Sequence, residues 1–396
     1  MPTSRIPTAR IPSRLLAALA VGTLALVFLA TLRPATASDE DLAEALAGLI
    51  EQAAAVPQDP PSAILLVVAP RLGLDWIGAA PGPGRDEAMP PRADGTLRIA
   101  SNTKTYVAAA VLRLVEDGKL ELDVPVERVL LPATVATLRA GGYRPDAITV
   151  RMLLQHTGGV YDYAGDESFI ARVMQEPGRR WTRAEQVQWA MSAGAPYGVP
   201  GEVFHYGDTG YILLGEVLEV TTAQPMPAAM RSLLGFERLG LRATWFETLE
   251  PEPEGVPARS LQRSEGMDVA LIDASVDLFG GGGLVSTLPE VARFYRALLQ
   301  GEVFREASTL ATMLEPSPQS LAPGGDGYGM GLGRLRLPGG VDCYGHAGFW
   351  GTEAWHCPGV DVTVVGAVTE SAAPEALQYM TRRALEQGVA ELAARE

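Results

Sequence analysis

Cysteine is almost missing from this chain, with two residues in 396, Cys343 and Cys357. That count allows one disulfide and no disulfide framework. Positive charge is also scarce. The 32 Lys and Arg stand against 47 Asp and Glu, for a formal net charge of −15 and a pI near 4.8. This balance argues against a nucleic-acid partner, which rewards clustered Lys and Arg, and against adsorption to an acidic membrane surface. No internal repeat or low-complexity tract is present, so neither a solenoid nor a disordered linker architecture is indicated.

What is present is a globular composition, 47% hydrophobic and 20% charged, in a chain long enough to bury a large core. The N-terminus reads as an export signal. Arg5, Arg10 and Arg14 precede an apolar run from Leu15 to Leu32, and Ala35-Thr36-Ala37 offers a small-residue cleavage site. The alternative for residues 1–37 is a retained membrane anchor, since the eighteen residues of the run nearly span a bilayer. No lipid-accepting cysteine follows the run. Either reading puts the remaining chain outside the cytoplasm, where a Cys343–Cys357 disulfide is permitted.

Residues 39–56 carry Leu42, Leu46, Leu49 and Ile50 at helical spacing, which predicts an opening helix ended by Pro57. Ala63 to Val68 and Leu74 to Ala79 read as strands, and Leu97 to Ala100 as a strand-like run. Asn102 to Asp117 reads as a helix closed by Gly118. From Leu120 to Ala274 the pattern is mainly helical, clearest at Arg183 to Met191 and Tyr211 to Val220, without convincing strands. Pro289 to Leu299 reads as a helix capped by Thr287 or Ser286. Four turn-punctuated strands follow between Gly327 and Thr369, and a closing amphipathic helix covers Pro374 to Ala394. The expected fold is α/β (α+β): an antiparallel sheet flanked by N- and C-terminal helices (38–118 and 275–396), with an all-helical domain inserted at 119–274.

Ser101 and Lys104 open the helix after the strand-like run. A helix turns once in about 3.6 residues, so positions three apart share a face, and a hydroxyl nucleophile meets an amine within one turn. Tyr206-Gly207-Asp208 follows 105 residues after Ser101, and His346-Ala347-Gly348 follows 140 residues after Tyr206. With Leu153-Leu154-Gln155-His156-Thr157-Gly158-Gly159 and the glycine run Gly280 to Gly283, these elements resemble the serine β-lactamase and penicillin-binding protein superfamily. The likeness is to its class C β-lactamase, DD-carboxypeptidase and esterase branch, across roughly residues 40 to 395.

The resemblance implies Ser101 as nucleophile, with Lys104 and Tyr206 as its proton-handling partners. It also implies an oxyanion hole from the amides of Ser101 and Phe349. Beside a cationic Lys104 the Tyr206 phenol is expected to ionise more readily and to shuttle the Ser101 proton to the leaving group. Asp208 stands where the family commonly has Asn. A carboxylate cannot donate to a substrate carbonyl, so Asp208 is expected to hold Lys104 protonated. His346 replaces a frequent Lys and is expected to donate to a substrate carboxylate or to Tyr206. Ala347 lacks the hydroxyl of Thr or Ser, and Gly348 is expected to leave room for substrate.

Cys343, His346, His356 and Cys357 together suggest zinc, but successive strand residues face opposite ways, so no metal is assigned. The two cysteines lie seven residues either side of Trp350. A hairpin turning there would oppose them directly and aim both away from the His346 face. The reading is an exported, monomeric serine hydrolase without cofactor, acting through an acyl-Ser101 on a small ester or a peptide of D-amino acids. A peptidoglycan stem peptide and a β-lactam are included among its partners. The alternatives are a β-lactamase and a non-catalytic sensor of cell-wall peptides.

Overall fold

Leu42, Leu46, Leu49 and Ile50 form one buried stripe of the first helix, α1 (Asp39–Ala54), in the computed structural model of the protein. The structure describes residues 39–55, 61–82, 92–322 and 326–395. The expected export segment 1–37 lies outside the described residues. Strands β1 (Ala63–Ala69), β2 (Leu74–Ala80) and β3 (Thr96–Arg98) follow, and β3 runs through a short 3-10 turn (Ala100–Asn102) into α2 (Thr103–Glu116). Next come α3 (Pro132–Ala140), α4 (Val150–Leu154), α5 (Glu167–Gln175), α6 (Arg183–Ala193), α7 (Thr209–Thr222) and α8 (Met226–Leu234). The chain then forms β4 (Trp245–Phe246), β5 (Arg263–Ser264), β6 (Met267–Asp268), β7 (Leu284–Thr287), α9 (Leu288–Leu299) and α10 (Ala307–Leu314). It closes with β8 (Gly327–Tyr328), β9 (Gly333–Arg336), β10 (Asp342–Gly348), β11 (Thr352–Cys357), β12 (Val362–Val368) and α11 (Pro374–Arg395).

Seven strands make one antiparallel sheet in the order β2-β1-β12-β11-β10-β9-β8. The interior strand β12, between β1 and β11, is buried at every position, which explains why its sequence is a near-continuous valine run rather than an alternation. The terminal helices α1 and α11 cover one face, and Leu46, Leu65, Val364, Leu385 and both cysteines pack there. The opposite face meets α2 and α9 in a second core that runs from Ile64 and Val365 through Tyr106 and Phe294 to Tyr211 in α7. The sheet and the helical segment therefore share one continuous core, and the described residues form one compact unit.

Three expectations need correction. The run Leu97 to Ala100 leaves the strand after Arg98, because Ala100 takes a positive φ of 45° to turn the chain into α2. Segment 119–274 is not free of strands. Trp245–Phe246 pairs with β7 in a three-stranded sheet β3-β7-β4, and Arg263–Ser264 pairs with Met267–Asp268. Two-residue strands carry no detectable periodicity, so pattern reading passes over them. Gly327 to Leu337 is two short strands, β8 and β9, rather than one.

The hairpin β10–β11 pairs Tyr344 with His356 through Gly348 with Thr352. It turns at Phe349, Trp350 and Gly351, where Gly351 takes φ 84° as an αL turn residue must. Cys343 and Cys357 are joined as a disulfide. Both point into the terminal-helix face, while His346 points to the face bearing α2. Among the described residues no helix is long and apolar enough to cross a membrane.

Candidate active site

The 3-10 turn delivers Ser101 to the open end of the sheet, and the first turn of α2 brings Lys104 beneath it. Lys104 is fully buried, at 0% exposure, so its ammonium needs internal partners for all three protons. It has them. Nζ lies 2.9 Å from Ser101 Oγ, 2.6 Å from Asp208 Oδ1 and 2.6 Å from the Gly281 carbonyl oxygen. Two of the three directions are anchored on an anion and a carbonyl, and the third points at the nucleophile. Burial pulls the lysine pKa down, but the Asp208 charge, with Tyr206, raises it by more, and the net shift is upward.

A buried polar set holds the turn that carries Ser101. Asn102 Nδ2 donates to the Ile99 carbonyl and to Thr352 Oγ1, each at 3.1 Å. Asn102 Oδ1 accepts from Tyr295 Oη at 3.0 Å. Strand β10 lies directly on this turn. A Cβ on Gly348 would sit 2.3 Å from the Ile99 carbonyl oxygen and 2.5 Å from Thr352 Oγ1. Gly348 thus seats the strand on the nucleophile turn, rather than opening space for substrate as expected from sequence. The strand just upstream of Ser101 is fixed by Arg98, whose guanidinium meets Glu247 at 2.6 Å and the carbonyls of Val269 and Ile272 at 2.8 and 2.9 Å.

Tyr206 sits over Lys104, with Nζ 5.0 Å from the ring centroid, and its hydroxyl interacts with both Lys104 and Ser101. Its phenol was expected to ionise readily beside a cation. Burial instead raises its pKa, and the lowering by Lys104 does not overcome burial together with the Asp208 charge. The group is a neutral phenol at rest.

His346 also departs from expectation. Its Nδ1 is 2.6 Å from the Ala347 carbonyl oxygen, an obligate acceptor, so Nδ1 carries the proton. Nε2 then accepts from Tyr328 Oη at 3.0 Å. Burial, with Lys104 nearby, lowers the imidazole pKa to about 3. Both nitrogens are engaged, the ring is neutral, and the donor proposed for a substrate carboxylate or for Tyr206 is taken. Ala347 is exposed at the strand end, and Phe349 beyond it is 60% exposed.

The remaining histidines divide. His156 is buried with φ 55°, lies 4.5 Å from the Tyr206 ring at a tilt of 43°, and accepts the Gly207 N–H at Nδ1 over 3.3 Å. His205 is exposed and stacks on Tyr197 at 3.4 Å. His356 bonds Thr363 Oγ1 at 2.8 Å, away from the site. Among the described residues no group of His, Cys, Asp and Glu is suited to a metal ion.

Sequence reasoning missed Asn102, Thr352, Tyr328, Gly281 and Asp162. Asn102, inside Ser101-Asn102-Thr103-Lys104, is a polar residue entering a helix whose later positions are apolar, and that was a readable signal. Gly281 lay in a glycine run already noted. Thr352 and Tyr328 carried no local signal.

Comparison with known proteins agrees with this geometry. The family model described as Beta-lactamase matches residues 72–389. Esterase EstB of Burkholderia gladioli is 31% identical over 276 residues, covering 63% of this chain and 69% of EstB. Penicillin-binding protein 4* of Bacillus subtilis is 24% identical, over 67% of this chain and 58% of that protein. Among solved structures, a D-stereospecific amidohydrolase from Streptomyces sp. superposes with a TM-score of 0.71 at 28% identity, covering 86% of this chain and 97% of that one. A D-amino acid amidase from Ochrobactrum anthropi SV3, complexed with L-phenylalanine amide, shares the fold with a TM-score of 0.68 at 24% identity, over 87% and 99% of the two chains.

Proposed function

The chain belongs to the beta-lactamase family of serine hydrolases, and from that premise we propose that it cleaves small esters and D-amino-acid amides or peptides through an acyl-enzyme on Ser101. The observation that carries this reading is the fully buried Lys104, 2.9 Å from Ser101 Oγ and paired with Asp208 at 2.6 Å. A lysine held as an ammonium stabilises an alkoxide but cannot take the serine proton. Tyr206 supplies that route as a neutral relay.

As Ser101 Oγ bonds to the acyl carbon, its proton passes to the Tyr206 oxygen and the phenol's own proton goes to the departing alcohol or amine. The bond from acyl carbon to leaving group then breaks. Water reverses the sequence: its oxygen bonds to the acyl carbon, its proton enters Tyr206, the bond from acyl carbon to Ser101 Oγ breaks to release the acid, and the phenol's own proton goes to Oγ. The amides of Ser101 and Phe349 are the proposed oxyanion donors. A relay of this kind uses a tyrosine that stays protonated, which the raised Tyr206 pKa supports.

The similarity to EstB and to the amidohydrolase supports ester and D-amino-acid substrates. We also propose a monomeric enzyme working outside the cytoplasm, supported by the basic and apolar N-terminal residues and by the disulfide. The test is a panel of a short-chain nitrophenyl ester, a D-amino acid amide, a D-Ala-D-Ala peptide and a penicillin, with Ser101→Ala as control. Turnover of the ester or amide that Ser101→Ala abolishes is expected. Penicillin turnover alone would make the protein a β-lactamase, and stoichiometric acylation without turnover would make it a sensor.

A further inference from the structure

Asp162 lies in the loop between α4 and α5, outside the segments that carry Ser101, Lys104, Tyr206 and His346. We propose that Asp162 is the positioning residue of the site, holding Tyr206-Gly207-Asp208 in the turn that aims the phenol and the carboxylate at Lys104. This rests on the hydrolase reading above for its catalytic consequence, though not for its geometry.

Asp162 Oδ1 accepts the Asp208 N–H at 2.7 Å and the Thr209 N–H at 3.3 Å, the first amides of α7, which the helix itself leaves unpaired. Asp208 and Thr209 therefore begin α7 on a carboxylate from a distant loop, and Asp208 keeps its own side chain free for Lys104. A return bond closes the tie: the Tyr163 N–H donates to Thr209 Oγ1 at 3.2 Å. The other oxygen, Oδ2, accepts the Gly165 N–H at 3.1 Å and fixes the loop on itself. Tyr163 Oη reaches the Val276 carbonyl at 3.1 Å, linking the loop to the chain that enters the glycine run.

The middle residue of the motif fits the same account. A Cβ on Gly207 would stand 2.8 Å from Asp162 Cβ and 3.0 Å from its Cγ. Gly207 has an ordinary φ, so its lack of a side chain serves this contact rather than an unusual backbone. The carboxylate thus packs on Gly207 and holds the Asp208 amide, so the backbone that joins Tyr206 to Asp208 is set from one side chain. Burial raises the Asp162 pKa to about 6, with Asp208 adding to the rise and the two amides and Lys104 opposing it. At neutral pH it is largely the carboxylate that two helix-start amides favour.

The test compares Asp162→Asn, Asp162→Ala and Gly207→Ala by two readouts. Asparagine keeps an acceptor oxygen at the same place, alanine keeps none, and Gly207→Ala drives the carboxylate away while leaving its chemistry intact. Expected is a fall in kcat on the nitrophenyl ester of about tenfold or more in Asp162→Ala and Gly207→Ala, with KM within about twofold, and recovery to within about threefold in Asp162→Asn. Hydrogen exchange of the peptide spanning 206–211, which reads the tie without any turnover, should quicken in the first two variants and not in the third. Equal exchange and equal kcat in all four proteins would overturn the proposal, as would Asp162→Asn failing as badly as Asp162→Ala. A wild-type protein without esterase activity would sink the hydrolase reading alone, leaving the exchange comparison to judge Asp162. Should Asp162→Ala not fold, Gly207→Ala against Asp162→Asn makes the same comparison.

Discussion

Replacing Asp208 by asparagine removes the anion that keeps a fully buried lysine charged. The separation is 2.6 Å, and at an effective dielectric constant of about 20 two unit charges so placed attract by about 6 kcal/mol. Desolvation of both groups offsets part of that, and breaking such a buried pair typically costs about 3–5 kcal/mol. An isolated buried ammonium escapes the cost by losing its proton. In the native protein the Lys104 pKa is raised, so the ammonium and the stability it brings are fully present at neutral pH and vanish only as pH rises through that raised value. In Asp208→Asn, burial acts with one opponent fewer and the value falls. The kcat/KM profile for a nitrophenyl ester, recorded from about pH 6 to pH 10 beside a fold check, should be flat on its alkaline side for the native enzyme and descend with rising pH in the variant. A rate that rises with pH in Asp208→Asn would mean that neutral Lys104 is the base, and would refute the fixed-ammonium reasoning.

Asp277→Asn should stabilise the protein at neutral pH. Burial, aided by Asp208, raises the Asp277 pKa from 3.8 to about 6. The stability of the native protein falls as pH rises across that window, by up to about 3 kcal/mol, so the melting-temperature gain of the variant should grow from pH 4 to about pH 6 and then level off; a gain independent of pH would contradict this. Gly348→Ala inserts a methyl group 2.3 Å from the Ile99 carbonyl oxygen and should destabilise by about 1–3 kcal/mol while slowing Ser101 acylation; unaltered acylation would mean that the strand and the nucleophile turn are not rigidly seated. Reducing the Cys343–Cys357 disulfide, which closes a loop of sequence separation 14, should lower stability by about 3 kcal/mol in urea titrations without changing KM, since the bridge lies on the face away from the site; a KM change would show that the hairpin moves.

Long elements with a clean period were legible in the sequence, as α1, α2, α9, β12 and α11 illustrate, because burial of one face or of both leaves its mark on every residue. The hairpin β10–β11 was legible for a different reason: equal spacing about Trp350 fixed the register, and the observed pairing opposes the two cysteines across it. Strands of two residues such as β4 and β5 were not, since two residues show no alternation, and β4 is defined by a partner, β7, far away in the chain. The same limit governed the site. Ser101, Lys104, Tyr206 and Asp208 are close in space; the first two could be nominated from helical spacing, and Tyr206 and Asp208 only through the resemblance to a known family. Their states could not, because the neutral phenol of Tyr206 and the neutral ring of His346 depend on burial and on Tyr328, an unmarked tyrosine on an edge strand. Asp162 lay in a loop with no periodicity at all, and only its hydrogen bonds to α7 reveal what it holds.

Everything proposed for the site depends on Ser101 being the nucleophile, activated against the buried Lys104–Asp208 pair. Intact-mass and peptide mass spectrometry after treatment with a fluorophosphonate tests it most directly. One adduct is expected, on the peptide bearing Ser101, and none in Ser101→Ala that retains the native melting temperature. An adduct on a different serine, or undiminished labelling of Ser101→Ala, would contradict it.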